Sequence, residues 1–195
     1  MRACEGSESH NDQADRHRAR QSEVADQEAS KRFYRDVLGF RIAEEDPDHG
    51  GVFMTLGENF HTLDIGQHPS PADAPRPQRG QIGLAHIAFQ VGSYAALKEA
   101  YAHLVNSGVA IMRAANHVNQ RSFYFSDPDG KVLEIYYEMP YALELFANGR
   151  SDEDEALPVS GPGEPVPQWL LEDWPAPEMK ARIERLRSRN ERTPA

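Results

Sequence analysis

The chain has little cysteine: Cys4 stands alone. A lone thiol excludes an intrachain disulfide framework and fits a reducing, cytoplasmic setting. Long apolar runs are missing too, so neither a membrane-spanning helix nor a secretory leader is expected. Positive charge is scarce, with 21 Lys and Arg against 31 Asp and Glu and a net charge of -10. That balance argues against a nucleic-acid or anionic-membrane partner. Apolar periodicity is absent from the first 23 residues, whose polar composition is that of a disordered segment.

What remains is enough for one domain with extensions. Strand-like and helix-like stretches alternate from Val24 to Glu138. Beyond the domain, residues 141–195 form a C-terminal extension. In it the acidic run "SDEDE" leads to "GPGEPVP", a linker composition, and then to the apolar anchors of "WLLEDW". Pro177 opens a short helix with Met179, Ile183 and Leu186 on one stripe, expected to pack on the domain or on a second subunit.

The domain repeats itself. Asp26 precedes a helix with Ala29, Phe33, Val37 and Leu38, closed by Gly39. Ser93 precedes another with Leu97, Tyr101 and Leu104, closed by Gly108. "FRIAEE" follows the first helix and "VAIMRA" the second. Two strands close each half: "GVFMTL" and "HTLDIG", then "SFYFS" and "KVLEIYY". The unit is strand, helix and three strands, used twice, and such units need each other to bury their faces. The fold class expected is α+β, with modules at 24–67 and 82–138 inside a domain at 24–140.

The last strand poses a chemical question. Glu134 sits among Val132, Leu133, Ile135, Tyr136 and Tyr137, and a carboxylate there needs compensation for its desolvation. Before the second helix, "LAHIAFQV" puts Ile87, Phe89 and Val91 on one face and His86 on the other. If the aliphatic faces lie under the helices, His86 and Glu134 converge on the concave side. An imidazole and a carboxylate there suggest a divalent metal with N and O ligands. Either residue alone is more often an ordinary hydrogen-bonded polar group.

"ASKRFYRDVLGF", "LAHIAFQV" and "SFYFSDPDGKVLEIYY" resemble the vicinal oxygen chelate superfamily of glyoxalase I, fosfomycin-resistance proteins and extradiol dioxygenases. The resemblance implies paired βαβββ modules forming a cupped, partly open β-barrel around one metal, with His86 and Glu134 as ligands. "NFHTLDIGQH" and "NHVNQRSFYF" look most like the extradiol dioxygenases. For that branch the resemblance implies His61 as acid–base, His117 beside the metal site and Tyr124 approaching the substrate. The metal implied is ferrous iron, with manganese, zinc or nickel as alternatives, and the substrate a catecholic aromatic. Homodimers are common in the superfamily.

The first ligand departs from the pattern. Counting seven residues before each helix cap gives His86 in the second half and Ala19 in the first. "HRARQSEVAD" is not strand-like, so a full first strand is not expected there. His17 is the candidate ligand, two residues early, reaching the site only through irregular pairing. Asp64, the counterpart of Glu134, supports a glyoxalase-like lyase or isomerase instead. A metal-free binding module, as in antibiotic-sequestering members, is the non-enzymatic alternative. "SDPDG" reads as a turn, and "EMPYALELFANGR" as a pocket cover, with Met139, Tyr141, Leu143 and Phe146 lining the ring site.

Overall fold

The computed structural model describes residues 20–57, 59–150 and 154–192. Each half has a side-chain-capped helix directly after its first strand. The Asp26 carboxylate accepts a hydrogen bond from the Ala29 N–H to open α1 (Gln27–Arg32), and Ser93 serves Ala96 for α2 (Tyr94–Asn106). α1 runs on as a π-helical stretch, Phe33–Val37, and Gly39 at φ +75° turns the chain out of it.

The strands of the first half are β1 (Arg20–Val24), β2 (Arg41–Glu45), β3 (Gly51–Thr55) and β4 (Leu63–Gln67). They form a sheet ordered β1-β4-β3-β2, with β1 and β4 parallel. The second half has β5 (Ile87–Gln90), β6 (Arg113–Asn116), β7 (Gln120–Ser126) and β8 (Val132–Glu138). Its sheet runs β5-β8-β7-β6 and gains a fifth strand, β9 (Glu155–Leu157), at the β6 edge. The registers correspond: Arg20 faces Leu63 as Ile87 faces Leu133, and Phe53 faces Asp64 as Tyr124 faces Glu134. The chain is therefore α+β, with two βαβββ units whose sheets do not close into a barrel.

One face of each sheet is apolar and feeds a single core. Val52, Met54, Leu63 and Ile65 from the first half join Ile87, Phe123, Phe125, Leu133 and Ile135 from the second, under Tyr34, Leu97, Tyr101 and Leu104 of the helical segments. The "SDPDG" segment is the turn expected, and it is also a clamp between the halves. Asp127 accepts from the backbone of Asp129 and Lys131, and the buried Tyr34 hydroxyl donates to it at 3.0 Å. Asp129 accepts from the Ala25 N–H and pairs with Arg76.

Three expectations change. A first strand exists: Arg20–Val24 pairs along β4, so the first module begins at Arg20 instead of Val24. Its alternation is carried by buried Ser22 and Val24 between exposed Gln21 and Glu23, a period-two pattern that the polar composition disguises. Pairing with β4 supplies the backbone partners that its propensity does not predict. The strand read at "VAIMRA" starts later, at Arg113. Part of the stretch read as linker is β9. The disorder expected of residues 1–19 and the position of His17 lie outside the described residues.

The remaining extension packs back on this chain. α3 (Ala142–Leu145) follows β8, and α4 (Gln168–Leu171) places Trp169 and Leu170 in the main core. α5 (Pro177–Glu191) buries Ile183 against Met139 and Leu145, with Met179 and Leu186 alongside, as its stripe predicts.

Candidate metal centre

Strand alternation sorts β8 before any chemistry is invoked. Leu133 and Ile135 enter the core, and Glu134 points to the opposite, concave face. The pairing registers place Ala88, Glu134, Tyr124 and Arg113 in one row across β5, β8, β7 and β6. His86 immediately precedes β5 and shares that face with Ala88.

Glu134 is 4% exposed, and its Oε2 lies 3.0 Å from His86 Nε2. Its Oε1 is buried with no hydrogen-bond partner. A carboxylate oxygen removed from water without a partner is costly, and such orphans are rare in native structures. A cation held jointly with the imidazole would satisfy it. The donor pair, one nitrogen and one carboxylate, suits a divalent first-row metal. No group of three His, Cys, Asp or Glu assembles among the described residues. Arg20 takes in the first half the register place of Ile87, so the residue that corresponds to His86 in sequence is Ala19. His17, the third ligand expected, lies outside the described residues.

Tyr124 stands edge-on to the His86 ring, with centroids 5.6 Å apart. Burial first, then the neighbouring Glu134 carboxylate, raises its phenol above the usual range. The Arg113 guanidinium sits 3.4 Å from the Tyr124 ring centroid, a cation–π contact that fixes the ring from its other side. His117 lies in the β6–β7 turn, its Nε2 3.4 Å from the Tyr124 hydroxyl. The next residue, Val118, has φ +68°, a left-handed conformation that a β-branched side chain resists. The Nδ1 of His117 is 2.8 Å from the Asp154 carboxylate, and Arg150 bonds both Asp154 and the His117 carbonyl. Asp154 is held below the usual carboxylate range by Arg150 and then by His117.

Four of the predicted residues thus come together: His86, Glu134, Tyr124 and His117. His61 does not join them. Its Nδ1 lies 2.8 and 3.0 Å from the two Asp64 oxygens, and its ring neighbours are Phe53 and Phe60, all in the first half. Extended geometry would have put His61 and Asp64 on opposite faces. β4 begins only at Leu63, so His61 precedes the strand and its ring folds back onto Asp64.

A cavity of about 1110 Å³ opens beside His86, Arg113 and Tyr124, bounded by β1 and by the proline-rich connector at 75–84. The segment after β8 does not cover it. Met139 and Leu145 are buried against α5, and Leu143 is 90% exposed. Met139, Tyr141 and Leu143 border a separate cavity with Gln90 and Gly92. Arg113, Arg150 and Asp154 went unrecognised in the sequence. Arg113 follows from alternation once the β6 register is known, whereas Asp154 is one of four acids in "SDEDE" with nothing local to distinguish it.

The family model of the Glyoxalase/Bleomycin resistance protein/Dioxygenase superfamily matches residues 22–135. Catechol-2,3-dioxygenase of Bacillus subtilis (strain 168) is 32% identical over 120 residues, 58% of this chain and 38% of that protein. The chain therefore spans well under half of that relative's length. Biphenyl-2,3-diol 1,2-dioxygenase 3 of Rhodococcus globerulus is 30% identical over 134 residues, 69% of each chain. The solved glyoxalase family protein from Enterococcus faecalis superposes with a TM-score of 0.51 at 25% identity, over 63% of this chain and 97% of that one. A glyoxalase/dioxygenase from Nostoc punctiforme shares the fold at a TM-score of 0.53 and 20% identity, over 71% and 99%. No helix among the described residues is long and apolar enough to cross a membrane.

Proposed function

Because the chain belongs to the glyoxalase/bleomycin resistance/dioxygenase superfamily, we propose that its second module carries an extradiol-type site that cleaves a catecholic aromatic substrate with dioxygen. The observation behind this reading is the buried Glu134, with Oε2 against His86 and Oε1 unpartnered, beside Tyr124. The dioxygenase names of two relatives at about the same identity support the same direction.

In this reading His86 and Glu134 hold a divalent metal, ferrous iron before manganese, zinc or nickel. When bound, ferrous iron supplies open positions for both catechol oxygens and dioxygen, and the electron exchange between them. The protein's own groups do the proton work. Tyr124 is a neutral phenol at neutral pH, as any tyrosine is, so its hydroxyl donates a hydrogen bond to a catechol oxygen. His117 Nε2, 3.4 Å from that hydroxyl, is the base on this face placed to take up the proton released by the catechol. Arg113 holds the Tyr124 ring against rotation. His61 has no part in it, since its ring lies against Asp64, Phe53 and Phe60 of the other half.

The test is anaerobic purification, iron analysis and a panel of catechol, 3-methylcatechol and biphenyl-2,3-diol, read by oxygen uptake and the yellow ring-opened product. Turnover with at least one diol and iron bound near one per chain is expected. Glu134→Ala should lose both, because the carboxylate supplies charge and a ligand bond. Full iron content in that variant would refute the site.

A further inference from the structure

His117 has two ring nitrogens, and the structure gives them different neighbours. Nε2 faces the Tyr124 hydroxyl on the concave face. Nδ1 faces Asp154, which lies beyond the segment matched by the family model and directly before β9. We propose that Asp154, fixed by Arg150 and by the docking of β9 on β6, is a positioning residue that holds His117 as the Nδ1–H tautomer with Nε2 bare toward Tyr124.

The geometry carries the argument. A carboxylate only accepts hydrogen bonds at neutral pH, so the 2.8 Å contact places the shared proton on Nδ1 of a neutral imidazole. The other nitrogen is then a lone-pair acceptor, the form a proton acceptor requires. Arg150 binds the partner and the backbone of the same residue: Nη1 donates to the His117 carbonyl at 2.9 Å and pairs with Asp154. β9 holds the segment in place, with Glu155 opposite Asn116, the residue before His117. The positive φ of Val118 shows that the turn is held in a conformation its own sequence disfavours. The C-terminal extension thus completes a site whose remaining members all come from the matched domain. Asp154 acts through His117, on the ring nitrogen opposite the one that faces Tyr124.

The kinetic part of this inference rests on the ring-cleavage reading, and the spectroscopic part does not. The experiment uses the full chain labelled with ¹⁵N-histidine, and compares the parent with Asp154→Ala and Asp154→Glu. Ring ¹⁵N shifts should show His117 as Nδ1–H in the parent, shifted toward Nε2–H in Asp154→Ala and restored in Asp154→Glu. Loss of a partner that orients a site histidine typically costs 10- to 100-fold. Accordingly kcat should fall about tenfold or more in Asp154→Ala with KM nearly unchanged, and recover in part in Asp154→Glu. Glu155→Ala, an exposed neighbour outside the contact, should match the parent in both readouts and controls for disturbance of β9. An unchanged His117 tautomer in Asp154→Ala overturns the proposal whatever the activity. A changed tautomer with parental kcat overturns the positioning role in turnover. If no diol is cleaved by the parent, it is the ring-cleavage reading that fails, and the tautomer still decides whether Asp154 sets the state of His117.

Discussion

At the scale of single residues, the site collects groups that are costly to the fold. Val118 occupies the left-handed region at φ +68°, where an L-residue loses roughly 1–2 kcal/mol. Asn tolerates that region, so Val118→Asn should raise stability by about 1 kcal/mol in urea melts while leaving the His117 turn in place. A destabilised variant would mean that the Val118 side chain makes packing worth more than the strain. Glu134 is the second such group: its unpartnered Oε1 makes little sense in a purely structural carboxylate. A divalent ion should therefore raise the melting temperature of the parent, by an amount that grows with metal concentration. Glu134→Gln should blunt that dependence, and an equal metal response in the two proteins would argue against ligation by Glu134.

At the scale of elements, the junction between halves depends on the β7–β8 turn. Tyr34 from the first half donates to Asp127 in the second, and both side chains are buried. Removing the hydroxyl leaves Asp127 short of one partner, so Tyr34→Phe should cost about 1–3 kcal/mol by denaturant titration. Burial, then the charge of Asp127, pushes the Tyr34 phenol far above its ordinary value. The sign follows from proton binding. Below about pH 10 both folded and unfolded chains keep the phenol protonated and the stabilisation is complete. Above it the unfolded chain releases the proton and the folded chain does not, so stability falls by up to about 1.4 kcal/mol per pH unit for this group. Buried Tyr94 and Tyr124 shift in the same direction and add to the slope. Tyr34→Phe should flatten the alkaline decline measurably, and an identical slope in the variant would assign the loss to the other tyrosines.

At the scale of the whole molecule, the extension is part of the domain. Trp169 is 3% exposed, meets the Tyr101 ring edge-on, and donates through Nε1 to the Pro158 carbonyl. Arg121, on β7, is buried beneath it and bonds Tyr94, the Trp169 carbonyl and Glu172. That network ties α2 and the second sheet to α4. Trp169→Ala should cost about 3–5 kcal/mol, the usual range for emptying an aromatic site. For a chain of this size that corresponds to a fall of roughly 10 °C in Tm. A change of only a degree or two would show that the extension rests on the domain without supporting it.

The repeat, the helix caps at Asp26 and Ser93, the turn at "SDPDG" and the stripe on α5 are legible in the chain before it folds. These are local: a period of two or 3.6, a capping oxygen or a turn residue is visible within a few positions. The sequence also placed Glu134 and His86 on the concave face, because alternation against an apolar core leaves a strand residue only two choices. Tertiary structure decided the rest. β1 is polar enough to hide, and only pairing with β4 makes Ser22 and Val24 a buried face. His61 lies where β4 has not yet begun, so its direction is set by a bend and by Asp64 instead of by alternation. Asp154 is separated from His117 by 37 residues, and its role exists only because β9 docks beside β6. Contacts between positions so far apart depend on where the chain returns, and no local pattern encodes that return.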